Sequence, residues 1–213
     1  MDADYSIEIG PTADALEIPW KDPDGRVLYV DLRGDPGSLE RNVERMPEAQ
    51  QFPALRNFLI EMNSRCSPWQ TAKCDVWAEA AEPEENVFGA QFSHGCYIDV
   101  VLAGEAAWLR DSLETHQRLA RTAALQLDED ELEATAEIVV RRCYFHHSSG
   151  GRASGGTFWD TSDDGYCLTL FLTGYGASPE EAAECWARTL ELASRCLLEL
   201  TLHEGRAKLR ELS

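Results

Sequence analysis

Residues 166–200 constrain the chain more than any other stretch, because a two-residue period gives way there to a helical one within a few positions. The run Tyr166-Cys167-Leu168-Thr169-Leu170-Phe171-Leu172-Thr173 is rich in aromatic, aliphatic and β-branched side chains, which suit a pleated, half-buried surface. Alternation puts Tyr166, Leu168, Leu170 and Leu172 on one face and Cys167, Thr169, Phe171 and Thr173 on the other. The first set is wholly apolar or aromatic and predicts the core side. The second mixes hydroxyls with one ring and predicts an open side.

Gly174 and Gly176 are read as ending this strand. Ser178-Pro179-Glu180-Glu181 then supplies a helix start, with Ser as N-cap, Pro at the first helical position and Glu three residues after the cap. Ala182, Cys185, Trp186, Thr189, Ala193, Cys196, Leu197 and Leu200 follow at helical spacing, with Glu184, Arg188, Glu191 and Arg195 between them for solvent. A strand, a tight turn and an amphipathic helix imply a helix packed on a sheet.

The rest of the chain supplies elements of the same two kinds. Alternation predicts strands at 5–9, 16–20, 26–32, 71–80, 96–102 and 134–147, and apolar stripes predict helices at 48–64 and 105–125. Pro53 falls in the first turn of the former, so the helix proper starts near it. Trp108, Leu109, Ser112, Leu113, His116, Leu119, Ala120 and Ala123 are the inner face expected of the latter. Residues 148–156, Ser-Ser-Gly-Gly-Arg-Ala-Ser-Gly-Gly, read as a connector between two strands.

Two arrangements fit this order. Residues 70–200 make two successive ββα units, or residues 26–147 make a βαββαβ, ferredoxin-like order with a further strand and helix appended. Both are α+β two-layer sandwiches with a mainly antiparallel sheet and helices on one face. The expected organisation is one domain over 1–213, with an N-terminal hairpin or extension at 1–25, a core at 26–200 and a charged tail at 201–213.

Charge narrows the class of partner. The 213 residues carry 38 acidic and 19 basic side chains, a formal charge of -19, and no segment is basic. Such a surface gives no footprint for nucleic acid and repels anionic membrane. It suits solubility or a basic protein partner. No run approaches the ~20 apolar residues of a membrane span, and the acidic start Met-Asp-Ala-Asp is unlike a targeting peptide. A cytoplasmic location follows as the expectation. The seven cysteines are odd in number, form no CxxC pair and mostly lie in apolar patterns, as reduced core thiols do.

No Gly-x-Ser-x-Gly elbow, phosphate-binding loop or His-Glu-x-x-His is present. No cofactor and no metal are expected, because His94-Gly-Cys96 and Cys143-x-x-His146-His147 do not make a converging four-ligand set. The pattern least like a plain core is Lys73, Asp75 and Trp77 on one face of a strand. Thr169 and Phe171 are expected beside them, with Tyr97 or Asp99, and with either Arg141, Cys143 and His147 or Arg142, Tyr144 and His146. A cation, a carboxylate and an indole on an open sheet face form a surface for a small molecule or a protein. The competing reading is a solvated face with cross-strand ion pairs. The expected function is a non-enzymatic binding or interaction module, with a second copy of the chain as one occupant. Two alternatives stand. One is an enzyme with Cys143, His146, Asp75 and Lys73 between the sheet and loop 148–156. The other is an acidic inhibitor of a basic protein.

Overall fold

The computed structural model describes residues 1–10, 13, 15–19, 30–33, 37–80, 88–148 and 159–211. Its strands are β1 (Asp2–Glu8), β2 (Leu16–Ile18), β3 (Trp69–Ala80), β4 (Phe92–Leu102), β5 (Ala134–Ser148) and β6 (Trp159–Gly176). Its helices are α1 (Leu39–Val43), α2 (Pro47–Gln51), α3 (Pro53–Asn63), α4 (Leu113–Asp128) and α5 (Pro179–Glu211), with a 3-10 segment at Gly104–Leu109. The strands form one mixed sheet in the order β1-β5-β6-β4-β3, and β2 also pairs with β5.

The sheet is not purely antiparallel. β3, β4, β6 and β5 are antiparallel neighbours, whereas β1 and β2 each run parallel to β5. The two N-terminal strands therefore do not make the expected hairpin with each other. They share one edge of β5, at residues 135–141 and 143–145. Parallel pairing with a strand more than a hundred residues away leaves no trace in local periodicity. Residues 26–29 of the strand expected at 26–32, and residues 149–156 of the connector, lie outside the described residues. From β3 onward the described order is strand, strand, helix, repeated once.

The strand–helix unit folds as its sequence dictates. Leu168, Leu170 and Leu172 are buried in the main core with Ile98, Val100, Ile138 and Val140. That core also holds Leu55, Phe58, Leu59 and Met62 of α3, Leu119, Ala123 and Leu127 of α4, and Trp186, Leu190, Ala193 and Leu197 of α5. Each large side chain removed from water there contributes about 1.5–3 kcal/mol. At the start of α5 the Ser178 hydroxyl accepts from the Glu181 N–H at 3.2 Å, while the Glu181 carboxylate accepts from the Ala177 N–H at 3.0 Å. This is a capping box with its return arm one residue outside the cap. The helix continues to Glu211, through most of the expected charged tail.

Gly174 does not end the strand, which runs on to Gly176. Both glycines face α5 and let it sit directly on the sheet. A Cβ at 174 would lie 2.2 Å from the Trp186 backbone nitrogen, and one at 176 would lie 2.5 Å from that of Ala182.

The helix expected at 105–125 is two elements. The 3-10 turn ends at Leu109, and Ser112 is the N-cap of α4, its side chain accepting from the Thr115 N–H. The break resets the helical phase, so Trp108, expected on the inner face, is 57% exposed. His116 remains on the inner face, fully buried, its Nδ1 2.8 Å from the Ser112 carbonyl oxygen.

Candidate functional site

Strand register assembles the face turned away from the helices. Lys73 pairs with Asp99, and Asp99 with Thr169. One rung along, Asp75 pairs with Tyr97 and Tyr97 with Phe171; on the next, Trp77 pairs with Gly95. All five expected site residues, Lys73, Asp75, Trp77, Thr169 and Phe171, thus lie on one face within three rungs. A bulge precedes them. Thr71 pairs with Val100 and Lys73 with Asp99, leaving Ala72 without a paired position. Ala72, which unbroken alternation would put on the side of Cys74 and Val76, packs instead against Ile18, Val101, Cys143, Phe145 and Cys167, a second small cluster on the helix-free face.

The centre of this face is not open. Thr169 is 1% exposed and Asp99 5%. The Thr169 hydroxyl donates to the Asp99 carboxylate at 2.5 Å. The Lys73 ammonium lies 5.3 Å from the Tyr97 ring centre, and the Arg141 guanidinium 5.6 Å from that of Phe171. The two rings are 6.1 Å apart. Two cation–aromatic pairs therefore stand on the rungs around one buried carboxylate. Burial pushes the Asp99 carboxyl above its usual range; the Thr169 hydrogen bond, then Arg141, then Lys73, work in the opposite direction.

The outer residues are held in different ways. Asp75 is exposed, and its carboxylate accepts from the Val76 N–H at 2.9 Å. The Trp77 indole lies across Gly95, where a Cβ would come within 2.7 Å of the ring. That close approach is the structural use of this glycine. Arg141 also bonds Glu8 of β1 at 3.0 Å. Thr169 is thus a partner of Asp99 instead of a contact surface. Asp99, Tyr97 and Arg141 stand at the centre of this face. The available signal was a carboxylate inside Tyr97-Ile98-Asp99-Val100-Val101, an otherwise apolar strand.

Of the residues named for an enzyme, Cys143 and His146 do not meet. Cys143 is buried on the helix-free face, while His146, three residues on, falls on the opposite face of β5. His146 Nε2 lies 3.6 Å from Glu17. Burial, then the Glu48, Asp75 and Asp99 carboxylates, push the Cys74 thiol up to about 12, and burial does the same to Cys96. Such thiols are poor nucleophiles near neutrality. Among the described residues no group of three or more His, Cys, Asp or Glu side chains is placed to hold a metal ion. No described helix is long and apolar enough to cross a membrane.

Comparison with family models, curated proteins and solved structures gives no match for this chain.

Proposed function

We propose that the chain is a non-enzymatic binding or protein-interaction module of the cytoplasm. Its contact surface is the helix-free sheet face around Lys73, Asp75, Trp77, Tyr97, Arg141 and Phe171. The observation that carries this reading is Asp99. A buried carboxylate whose charged form is disfavoured is a stability cost that an apolar residue at the same rung would avoid. Departures of this kind from local folding rules concentrate where a protein has a task beyond folding. The Lys73–Tyr97 and Arg141–Phe171 pairs hold cationic and aromatic groups in fixed places around it, as recognition of a polar, planar ligand or a partner side chain requires.

Substitution at Asp99 separates this reading from a plain scaffold. Asp99→Asn keeps shape and hydrogen bonding but removes the buried charge. The variant is expected to gain about 1 kcal/mol, a rise in Tm of roughly 2–4 °C for a chain of this size. It is also expected to lose the thermal shift produced by small-molecule hits that stabilise the parent protein. A gain in Tm with every hit retained would leave Asp99 as a folding defect and the face without a function.

A further inference from the structure

The register of β5 and β6 brings two thiols together on the helix-free face. Arg141 pairs with Cys167 and Cys143 with Gly165, so Cys143 and Cys167 are diagonal neighbours on successive rungs of that face. Both are fully buried. The two thiols are hydrogen-bonded to each other, and the Cys167 Sγ also lies 3.8 Å from the Arg141 carbonyl oxygen. Ile18, Val101 and Phe145 surround them, with Leu16 and Ala72 half-buried beside them.

Diagonal placement decides what such a pair can do. The Cα atoms of diagonal neighbours stand about 7–8 Å apart, beyond the roughly 4.4–6.8 Å that a disulfide spans without backbone movement. The thiols therefore touch without being placed to oxidise to each other. An ion between them needs no such approach, because each sulfur reaches it separately. The hydrogen bond to Cys143, then burial, hold the Cys167 thiol well above its ordinary range; the charges of Cys143 and Asp99 add to this and Arg141 opposes it. The pair is thus stored as a neutral dithiol. Cys74 and Cys96 are also diagonal, on β3 and β4, but the Cys96 sulfur accepts from the Trp186 indole N–H at 3.3 Å.

We propose that Cys143 and Cys167 form a two-coordinate site for a soft monovalent cation of the copper(I) class. Thiolates select such ions over harder ones. A closed zinc site needs four ligands, and Ile18, Val101, Phe145, Leu16 and Ala72 add no donor side chain. Binding is an exchange that needs no oxidant. Two S–H bonds break, two sulfur–metal bonds form, two protons leave to solvent and the metal keeps its oxidation state. The product carries one net negative charge, and Arg141, opposite Cys167 in the ladder, is the cation that favours it. The site does not rest on the sheet-face reading, since neither cysteine belongs to that contact surface.

The probe is silver(I), a redox-inert stand-in for copper(I), added to a Cys66→Ser, Cys185→Ser background that removes the exposed Cys66 thiol and the half-buried Cys185 thiol. The expected result is one ion per chain by native mass spectrometry, with two protons released per ion at pH 7 and a shell of two sulfurs by X-ray absorption. Cys143→Ala and Cys167→Ala are each expected to weaken retention against a competing thioether by about a hundredfold or more, at least the largest cost of losing a supporting group at a metal site. Cys74→Ala and Cys96→Ala are expected to leave it unchanged. A buried free thiol packs as a small hydrophobe, so alanine suits these positions, and the proton count and sulfur shell are read on the background protein with both ligands in place. No uptake, no proton release or a shell other than two sulfurs would overturn the site. Retention that survives Cys143→Ala or Cys167→Ala, or that falls with Cys74→Ala or Cys96→Ala, would overturn it equally.

Discussion

Gly174→Ala is expected to destabilise the protein by about 3 kcal/mol or more, lowering Tm by roughly 6–12 °C at this chain length. The added methyl would meet backbone, not a side chain that can swing away. Its nearest atoms are the Trp186 nitrogen at 2.2 Å, the Trp186 Cα at 2.7 Å and the Ala182 carbonyl oxygen at 2.8 Å. Relief requires α5 to lift from β6. That would loosen Trp186, whose indole N–H donates to Cys96 at 3.3 Å and whose ring packs against His94 and Phe52. Gly10→Ala is the internal control, with nothing within 4 Å of the new methyl, and should shift stability by less than about 0.5 kcal/mol. Urea unfolding of the two variants side by side measures the difference. A loss below about 1 kcal/mol at Gly174 would mean that α5 is not seated on the strand.

Acid is expected to weaken the fold before any carboxylate of ordinary pKa titrates. His94 is enclosed by Phe52 and Trp186, with ring centres 5.0 and 4.4 Å away, and its Nε2 is buried without a hydrogen-bond partner. His116 is fully buried beside Tyr166. Burial is the leading cause that lowers both pKa values; at His116 the Ser112 and Tyr166 carbonyls, then Asp111, partly oppose it. A folded-state pKa below the unfolded value of about 6.5 means that the unfolded chain binds the proton more readily. The contribution of each neutral histidine is therefore complete above about pH 6.5 and is lost as pH falls towards the folded-state pKa.

While both rings stay neutral, the slope reaches about 1.4 kcal/mol per pH unit for each. Asp99 acts in the other sense. Its raised pKa makes the protonated form the better tolerated one, so its contribution is present below about pH 3.9 and fades as pH rises through the folded-state value. Measuring in the Asp99→Asn background removes that opposing titration. Calorimetry from pH 7.5 to 5.0 should show a falling Tm, and His94→Gln should flatten the decline. A constant Tm over that range would contradict the burial of both rings.

The parts of the fold that periodicity controls were legible in the sequence. The capping box at Ser178, the alternation of Leu168, Leu170 and Leu172, and the helix start near Pro53 all rest on neighbours in the chain, and all stand in the structure. What periodicity does not encode was missed. The parallel docking of β1 and β2 on β5 depends on distant pairing. The 3-10 turn before Ser112 shifts the helical phase and turns Trp108 outward. Gly174 reads as a terminator in one dimension and is a contact in three.

The candidate site divides in the same way. Alternation was enough to place Lys73, Asp75, Trp77, Thr169 and Phe171 on one face, and register then aligns them. Burial along that face was not legible. It depends on the Ala72 bulge, on the long side chains of Lys73 and Arg141 lying against Tyr97 and Phe171, and on the pairing of Asp99 with Thr169. A face expected to be open therefore has a closed centre and an open margin at Asp75 and Glu137.

Amide chemical-shift mapping with a small-molecule hit from the thermal-shift screen tests the sheet-face account most directly. The account predicts shifts confined to residues 73–77, 95–99, 139–141 and 169–173, with the Trp77 indole N–H among them. Shifts confined to α3, α4 and α5, or to the 3-10 turn at Trp108, with rungs 73–77 and 97–99 unmoved, would contradict it.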